Sequence, residues 1–116
     1  MEVFPENELP EWLEYPPEYL RLVDDGLVKF APWYLLTGKL AEIRNNGLKA
    51  RYPGKNLFAF AARLDNDDIA CWEQGNMPQV VVMHDFAADN HANRRVFDTF
   101  WNWFRSAIED MIEHEV

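Results

Sequence analysis

Cysteine is almost absent from this sequence. Cys71 is the only one among 116 residues, so the chain cannot form an internal disulfide. A secreted domain of this size more often has several paired cysteines. No stretch approaches the roughly 18 apolar residues of a membrane span, and the first residues lack the basic and apolar segments of a signal peptide. We therefore expect a soluble, cytoplasmic protein that does not bind membranes.

Glycine clusters and metal-ligand spacings are also missing. The five glycines never group into a loop that could cradle phosphate, and His84, His91 and His114 do not have the spacing of zinc ligands. A metal site formed by Asp85, Asp89 and His91 on a loop is the remaining alternative. We predict no cofactor and no metal ion.

Basic side chains are scarce, and the formal net charge is −9. Direct nucleic-acid binding is not expected, because phosphate backbones require a surplus of Lys and Arg on the contacting face. Residues 1–25 have eight acidic and one basic side chain, residues 26–64 have one acidic and seven basic, and residues 65–116 have eleven acidic and three basic. Folding either lets these charges neutralise one another or leaves an acidic face that attracts a basic protein.

The residues that are present suffice for one domain over residues 1–116, since 48% are hydrophobic and 15% aromatic. A proline-led helix is predicted from Pro17 to a stop at Gly26. Residues 39–52 predict a broken or two-piece helix, because Asn-Asn-Gly at 45–47 interrupts an apolar pattern. That pattern consists of Leu40, Ile43 and Leu48. Strands are predicted at residues 33–36, 57–64, 69–73 and 79–84.

The C-terminal segment predicts the longest helix. Eight apolar residues between Phe97 and Ile112 fall within an arc of about 140° on a helical wheel, and polar residues fill the remainder. We predict an amphipathic helix of about six turns whose apolar face lies on the sheet. The expected fold class is α+β, with helices packed on one face of a mainly antiparallel or mixed β-sheet.

Three aspartates, Asp65, Asp67 and Asp68, lie between two apolar strands. A calcium loop of the EF-hand type is excluded, because the sixth position counted from Asp65 is Ala70 instead of glycine and the twelfth is Asn76 instead of glutamate. A catalytic carboxylate pair is disfavoured, since adjacent side chains on a turn or strand point to different sides. We interpret residues 65–68 as a hairpin turn that joins an antiparallel pair. A metal site and a partner contact are the alternatives.

Cys71, His84 and Asp85 are the residue types of a cysteine-dependent catalytic triad. A cysteine nucleophile needs a base within hydrogen-bond reach and a third group that orients the base. On a strand, however, His84 and Asp85 face opposite sides of the sheet, and Cys71 is placed like a small buried hydrophobe. We predict that the protein is not an enzyme.

Two tryptophans are candidates for contact with another protein. Trp72 lies on the opposite side of its strand from the cysteine, and Trp103 lies at the edge of the C-terminal helix. Each is expected to be partly buried against loops or exposed as an aromatic anchor. The predicted partner-binding residues are these two tryptophans with Asp65, Asp67 and Asp68.

Five segments occur in an order and spacing that resemble a known family. They are "PPEYLRLVDDGL", "APWYLLTG", "YPGKNLFAFAARLDNDDIACW", "VVVMHDFA" and "FDTFWNWFRSAIEDMI". Over nearly the whole chain they resemble the SUKH superfamily, the Smi/Knr-like immunity proteins, and none is a catalytic signature. The resemblance implies an α+β fold with a mixed or antiparallel sheet flanked by helices.

The resemblance also implies a cytoplasmic protein-binding domain without enzymatic activity. Many members of the family neutralise bacterial toxins, often nucleases or deaminases, and a basic nuclease cleft suits an acidic inhibitor. A general interaction or regulatory module of the same fold is one alternative. A small-ligand protein that uses the region of Trp33, Tyr34 and Trp72 is another. The family's toxin-contact surface varies, so it assigns no contact residue here.

Overall fold

The structure, a computed structural model, describes residues 9–85 and 95–114. Within them, three α-helices and six β-strands follow one another along the chain. The helices are α1 (Pro17–Asp24), α2 (Gly38–Arg51) and α3 (Phe100–Glu113). The strands are β1 (Lys29–Phe30), β2 (Trp33–Leu35), β3 (Leu57–Arg63), β4 (Asp68–Glu73), β5 (Val80–His84) and β6 (Arg95–Phe97).

The strands form one six-stranded sheet in chain order, from β1 to β6, and every neighbouring pair is antiparallel. The predicted α+β class with an antiparallel sheet is therefore confirmed. The four predicted strands correspond to β2, β3, β4 and β5, and each differs from the observed strand by one residue at one end. The short edge strands β1 and β6 were not predicted, because two or three residues give too little alternation to recognise.

Helices cover both faces of the sheet, so the expectation of helices on one face was wrong. On one side, α1 and α3 bury Tyr19 and Phe100 against β3 and β4. On the other, α2 buries Leu48 against Ala59 and Cys71. The first side is called the α3 face and the second the α2 face. Residues 57–62 of β3 are buried without a break, which is typical of a strand covered on both sides.

A β-bulge in β3 adjusts which side chains point to each face. Ala59 pairs with Cys71 and Ala61 pairs with Ala70, so one extra residue lies between two successive pairs. As a result, Phe60 and Ala61 both join the apolar cluster on the α3 face. The bulge places the Phe60 ring at the centre of that cluster, 4.3 Å from the Trp72 ring.

Helix α2 is continuous, and the predicted break at residues 45–47 was wrong. Asn45 is buried and its amide nitrogen donates to the carbonyl oxygens of Ala41 at 2.9 Å and Ala59 at 3.0 Å. Its side-chain oxygen also accepts from the Ala59 N–H at 2.7 Å. The asparagine thus ties α2 to β3, because a buried amide needs partners for both its donor and its acceptor.

Helix α3 is shorter than predicted, with 14 residues or about four turns. It begins after Thr99, whose hydroxyl accepts a hydrogen bond from the Asn102 N–H at 3.1 Å and caps the helix. Phe97 belongs to β6 and pairs with Val80. At the other end, Ile112 is 69% exposed although the helical wheel placed it on the apolar arc. The predicted apolar arc is therefore exposed in the last turn of α3, where Met111 is 39% exposed as well.

Candidate functional site

The aspartate segment is the predicted turn between antiparallel strands. Strand β3 ends at Arg63 and β4 begins at Asp68. The Asn66 side-chain oxygen accepts a hydrogen bond from the Asp68 N–H at 2.8 Å, the local bond that favours Asn and Asp in turns. The prediction of a hairpin turn is confirmed.

Asp65 is hydrogen-bonded to an arginine of its own hairpin. Its carboxylate accepts hydrogen bonds from Nε and Nη2 of Arg63, each at 2.8 Å. This bidentate contact lowers the pKa of Asp65 and raises the pKa of Arg63. Arg63 also lies over the Trp33 ring and donates to Asp110 of α3 at 3.3 Å. Arg63 therefore directs the Asp65 carboxylate toward the α3 face.

The other two aspartates differ from each other. The Asp68 carboxylate contacts Nδ1 of His84, its cross-strand neighbour. Asp67 forms no side-chain ion pair within residues 9–85 and 95–114, and its carbonyl oxygen accepts from the Asp85 N–H at 2.8 Å. Only one of the three predicted contact carboxylates is therefore available without breaking a contact inside the chain.

The two tryptophans cannot serve as exposed anchors in this structure, which corrects their prediction as partner-binding residues. Trp72 is 0% exposed and Trp103 is 1% exposed. Trp72 stacks on Phe60 at 4.3 Å, and Trp103 meets the same ring edge-on at 4.9 Å. Trp103 was misplaced because it lies on the buried stripe of α3 rather than at its edge.

Cys71, His84 and Asp85 do not form a catalytic group. Cys71 is fully buried on the α2 face, and His84 contacts Asp68 on the opposite side of the sheet. Among the residues that the structure describes, no three His, Cys, Asp or Glu side chains are grouped to hold a metal ion. Asp89 and His91 of the alternative metal site lie outside the described residues.

Asp85 instead fastens α2 to the end of β5. Its buried carboxylate accepts hydrogen bonds from Nε of Arg51 at 2.8 Å and from Nη2 of the same side chain. Nη1 of Arg44 lies 3.7 Å from the carboxylate. Gly47 lies between the two arginines, and a Cβ there would be 2.6 Å from Nη1 of Arg51. Because Gly47 has no side chain, the Arg51 guanidinium group can lie against the helix at this position.

The helices on the two faces of the sheet differ in charge. Helix α2 has four basic side chains and one acidic side chain. Helices α1 and α3, on the opposite side of the sheet, together have five acidic and two basic side chains. Most basic side chains of the central segment therefore lie on α2, whereas Arg63 at the end of that segment points to the α3 face. The acidic segments on either side of the central one supply the helices of the α3 face.

An exposed apolar surface lies on the α2 face, at the end of the sheet nearest β1. Leu40 is 54% exposed and Leu64 is 70% exposed, and the half-buried Tyr34 lies beside them. Ile43, which is 61% exposed, follows Leu40 by three residues on the surface of α2. We call Tyr34, Leu40, Ile43 and Leu64 the apolar surface. It contains a depression of about 300 Å³ lined by Lys29, Ala31, Trp33, Tyr34, Leu40 and Leu64.

The sequence did not predict this surface, because two different stripes of α2 could have been the buried one. Leu40, Ile43 and Leu48 gave an apolar pattern, yet only Leu48 is buried. The stripe that faces the sheet is formed by Ala41, Asn45 and Leu48. A small residue and an amide four positions apart are a weak signal for a buried face.

No family model, curated protein or solved structure matches the chain. The resemblance to the SUKH superfamily therefore stays a prediction. Within the described residues, none of the helices has the length and apolar character needed to cross a membrane.

Proposed function

We propose that this chain is a non-enzymatic protein-binding domain that contacts its partner through the apolar surface. Three large aliphatic side chains, Leu40, Ile43 and Leu64, are each more than half exposed and lie on one side of the molecule. Water-exposed aliphatic groups that cluster in this way mark interaction sites, whereas isolated ones are common on any surface. This cluster is the observation that carries the proposal.

The shape and chemistry of the surface favour binding over catalysis. The depression includes the exposed Leu40 and Leu64, and Lys29 is the single charged side chain among the described residues that line it. Trp33 is already committed, since its indole N–H donates to Asp110 at 2.9 Å. Within residues 9–85 and 95–114, no carboxylate, histidine or thiol lines the depression as a base or nucleophile. Apolar contact with a few polar groups at the rim is typical of protein interfaces.

The biological role that we propose is that of an immunity protein, which binds a bacterial toxin and blocks it. The SUKH resemblance supports this role, and the α+β fold agrees with what the resemblance implies. A regulatory interaction module of the same fold would use the same surface. The two roles differ in whether the partner is toxic when it is produced alone.

Co-expression with the product of the gene directly upstream tests both parts of the proposal. The wild-type chain should restore growth and co-purify with that product. The variant Leu40→Ser/Leu64→Ser should fail at both, because it makes the apolar surface polar. Ile112→Ser is the matched control, since Ile112 is 69% exposed but lies on α3. Circular dichroism melts should show that all three proteins fold equally well.

Two results would contradict the proposal, and each contradicts a different part of it. If the wild-type chain neither restores growth nor co-purifies, the immunity role for this partner is wrong. If Leu40→Ser/Leu64→Ser co-purifies as well as wild type, the partner binds elsewhere and the apolar surface is not the contact.

A further inference from the structure

The rim of the apolar surface is basic. Lys29 lines the depression, and within residues 9–85 and 95–114 it forms no ion pair. Lys39 directly precedes Leu40 and its side chain is 75% exposed. Its contact is an exposed pair with Glu42, 3.3 Å away, of the kind that contributes little and exchanges readily with other partners. Arg44 follows Ile43 and is partly exposed, and its Nη1 lies 3.7 Å from the buried Asp85 carboxylate.

Asp65 and Asp68 do not cancel this positive charge, because they are turned to the other side of the sheet. Tyr34 pairs with Ala62, and Ala62 with Ile69, in a row that faces α2. Arg63 and Asp68 are the neighbours of that row along their strands, so their side chains point to the α3 face. There Arg63 holds Asp65, and His84 holds Asp68.

We propose that the apolar surface receives an acidic segment of the partner, one whose apolar side chains are flanked by Asp or Glu. This inference rests on the proposed function and specifies the chemistry of the partner. The apolar side chains of the segment contact Leu40, Ile43 and Leu64, and its carboxylates lie near Lys29 and Lys39. A net charge of −9 alone predicts the opposite, a basic partner. The local field at the contact depends on the side chains beside it. Lys29 and Lys39 lie there, whereas Arg51 and Arg44 of α2 are balanced in part by the buried Asp85.

A peptide display library provides the test, because the partner is not needed for it. The library consists of segments of about 14 residues, long enough for four helical turns. Leu and Phe occupy the apolar positions, and Glu, Lys and Gln occupy the others at equal frequency. The full-length chain serves as bait, and peptides that bind Leu40→Ser/Leu64→Ser equally well are discarded. We expect the remaining peptides to be enriched in Glu and depleted of Lys.

A charge-reversed bait makes the result specific to the rim. Lys29→Glu/Lys39→Glu should weaken binding of the selected peptides by about tenfold or more and should shift the library toward Lys. Arg105→Glu is the control, since Arg105 is exposed on α3 at the opposite face. It should leave both the affinity and the selected composition unchanged.

The other possible outcomes contradict either the acidic segment alone or the protein-binding function as well. Selected peptides that depend on Leu64 but are enriched in Lys would overturn the acidic segment and leave the protein-binding function intact. A selection without any peptide that distinguishes wild type from Leu40→Ser/Leu64→Ser would overturn both. Sedimentation showing a dimer that Leu40→Ser/Leu64→Ser dissociates would mean that a second copy of the chain occupies the surface, which also overturns the inference.

Discussion

The indole N–H of Trp33 donates a hydrogen bond of 2.9 Å to the carboxylate of Asp110, 77 residues further along the chain. Arg63 donates to the same carboxylate oxygen at 3.3 Å and lies over the Trp33 ring. Asp110 thus joins α3 to β2 and β3 through one side chain. Because the Trp33 side chain is buried, its N–H has no easy access to water as an alternative partner.

Replacing Asp110 should destabilise the fold. Asp110→Ala leaves the Trp33 N–H without its acceptor, and we expect a loss of about 1–3 kcal/mol in the free energy of unfolding. Asp110→Asn keeps an acceptor oxygen and should lose less. Urea denaturation followed by tryptophan fluorescence measures both. Glu109→Ala, at the exposed neighbouring position, should stay close to wild type. An equal loss in the two alanine variants would show that the bond to Trp33 contributes nothing.

Removal of the buried Asp85 carboxylate should be more costly. Asp85→Ala leaves Arg51 and Arg44 without their buried counter-charge, and loss of one member of such a pair typically costs about 3–5 kcal/mol. Asp67→Ala provides the comparison, since that side chain forms no ion pair in the part of the chain the structure describes. Guanidinium denaturation should place Asp85→Ala far below Asp67→Ala. Similar midpoints would mean that the contact with α2 adds no stability.

Gly47→Ala should not give the stabilisation that helix propensity predicts. Alanine in a helix interior is usually favoured over glycine by about 1 kcal/mol. At position 47, however, the new methyl group would be 2.6 Å from Nη1 of Arg51, whose guanidinium is held by Asp85. We expect a melting temperature at or below that of wild type. Asn46→Ala, at an exposed site on the same helix, should raise it. A clear gain for Gly47→Ala would show that Arg51 moves freely.

The ion pair between Asp65 and Arg63 should give a small, pH-dependent contribution to stability. Because Arg63 lowers the pKa of Asp65 in the folded state, the pair stabilises the protein above the usual aspartate pKa of 3.8. The contribution disappears as the pH falls through the lower folded pKa. Asp65→Asn should therefore be less stable than wild type at pH 7 by no more than about 1 kcal/mol, since the pair is exposed. Urea midpoints that differ by the same amount at pH 7 and pH 2 would refute this origin.

Substitutions at Trp72 and Leu64 should have different effects, the first on stability and the second on binding. Trp72→Ala opens a cavity under Phe60 and should cost about 3–5 kcal/mol. Leu64→Ser should change stability by less than about 0.5 kcal/mol, because the side chain is 70% exposed. Denaturation measures the first effect, and peptide affinity measures the second. A stable Trp72→Ala variant would mean that the ring is not an essential part of the core.

The sequence predicted those parts of the fold that depend on local patterns. Pro17 at the start of α1, Gly26 after its end and the turn at residues 65–68 are set by backbone preferences. The face that each helix buries depends on its neighbours. Leu40 reads as a core residue until β2 and β3 are placed, and Trp103 reads as an edge residue until Phe60 and Trp33 surround it.

The candidate site was hidden for the same reason. Its residues come from α2, β2 and the end of β3, and no local pattern connects Leu64 with Leu40. The acidic turn was recognised, but the direction of its carboxylates depends on Arg63 and His84, which only the folded sheet brings into contact with them. Composition gives only the negative net charge of the whole protein. The basic rim becomes visible once the fold brings its residues together.

The separation of charge across the sheet makes the molecule an electric dipole as well as an anion. Beyond the Debye length of about 8 Å, salt screens the fields of both the net charge and the dipole. At shorter distances, the dipole favours orientations in which the α2 face meets negative charge. An acidic partner is therefore repelled by the whole protein but attracted by the face that it meets. Its association rate should first rise with added salt, as the overall repulsion is screened, and then fall as the attraction at the rim is lost. A basic partner would show only the fall.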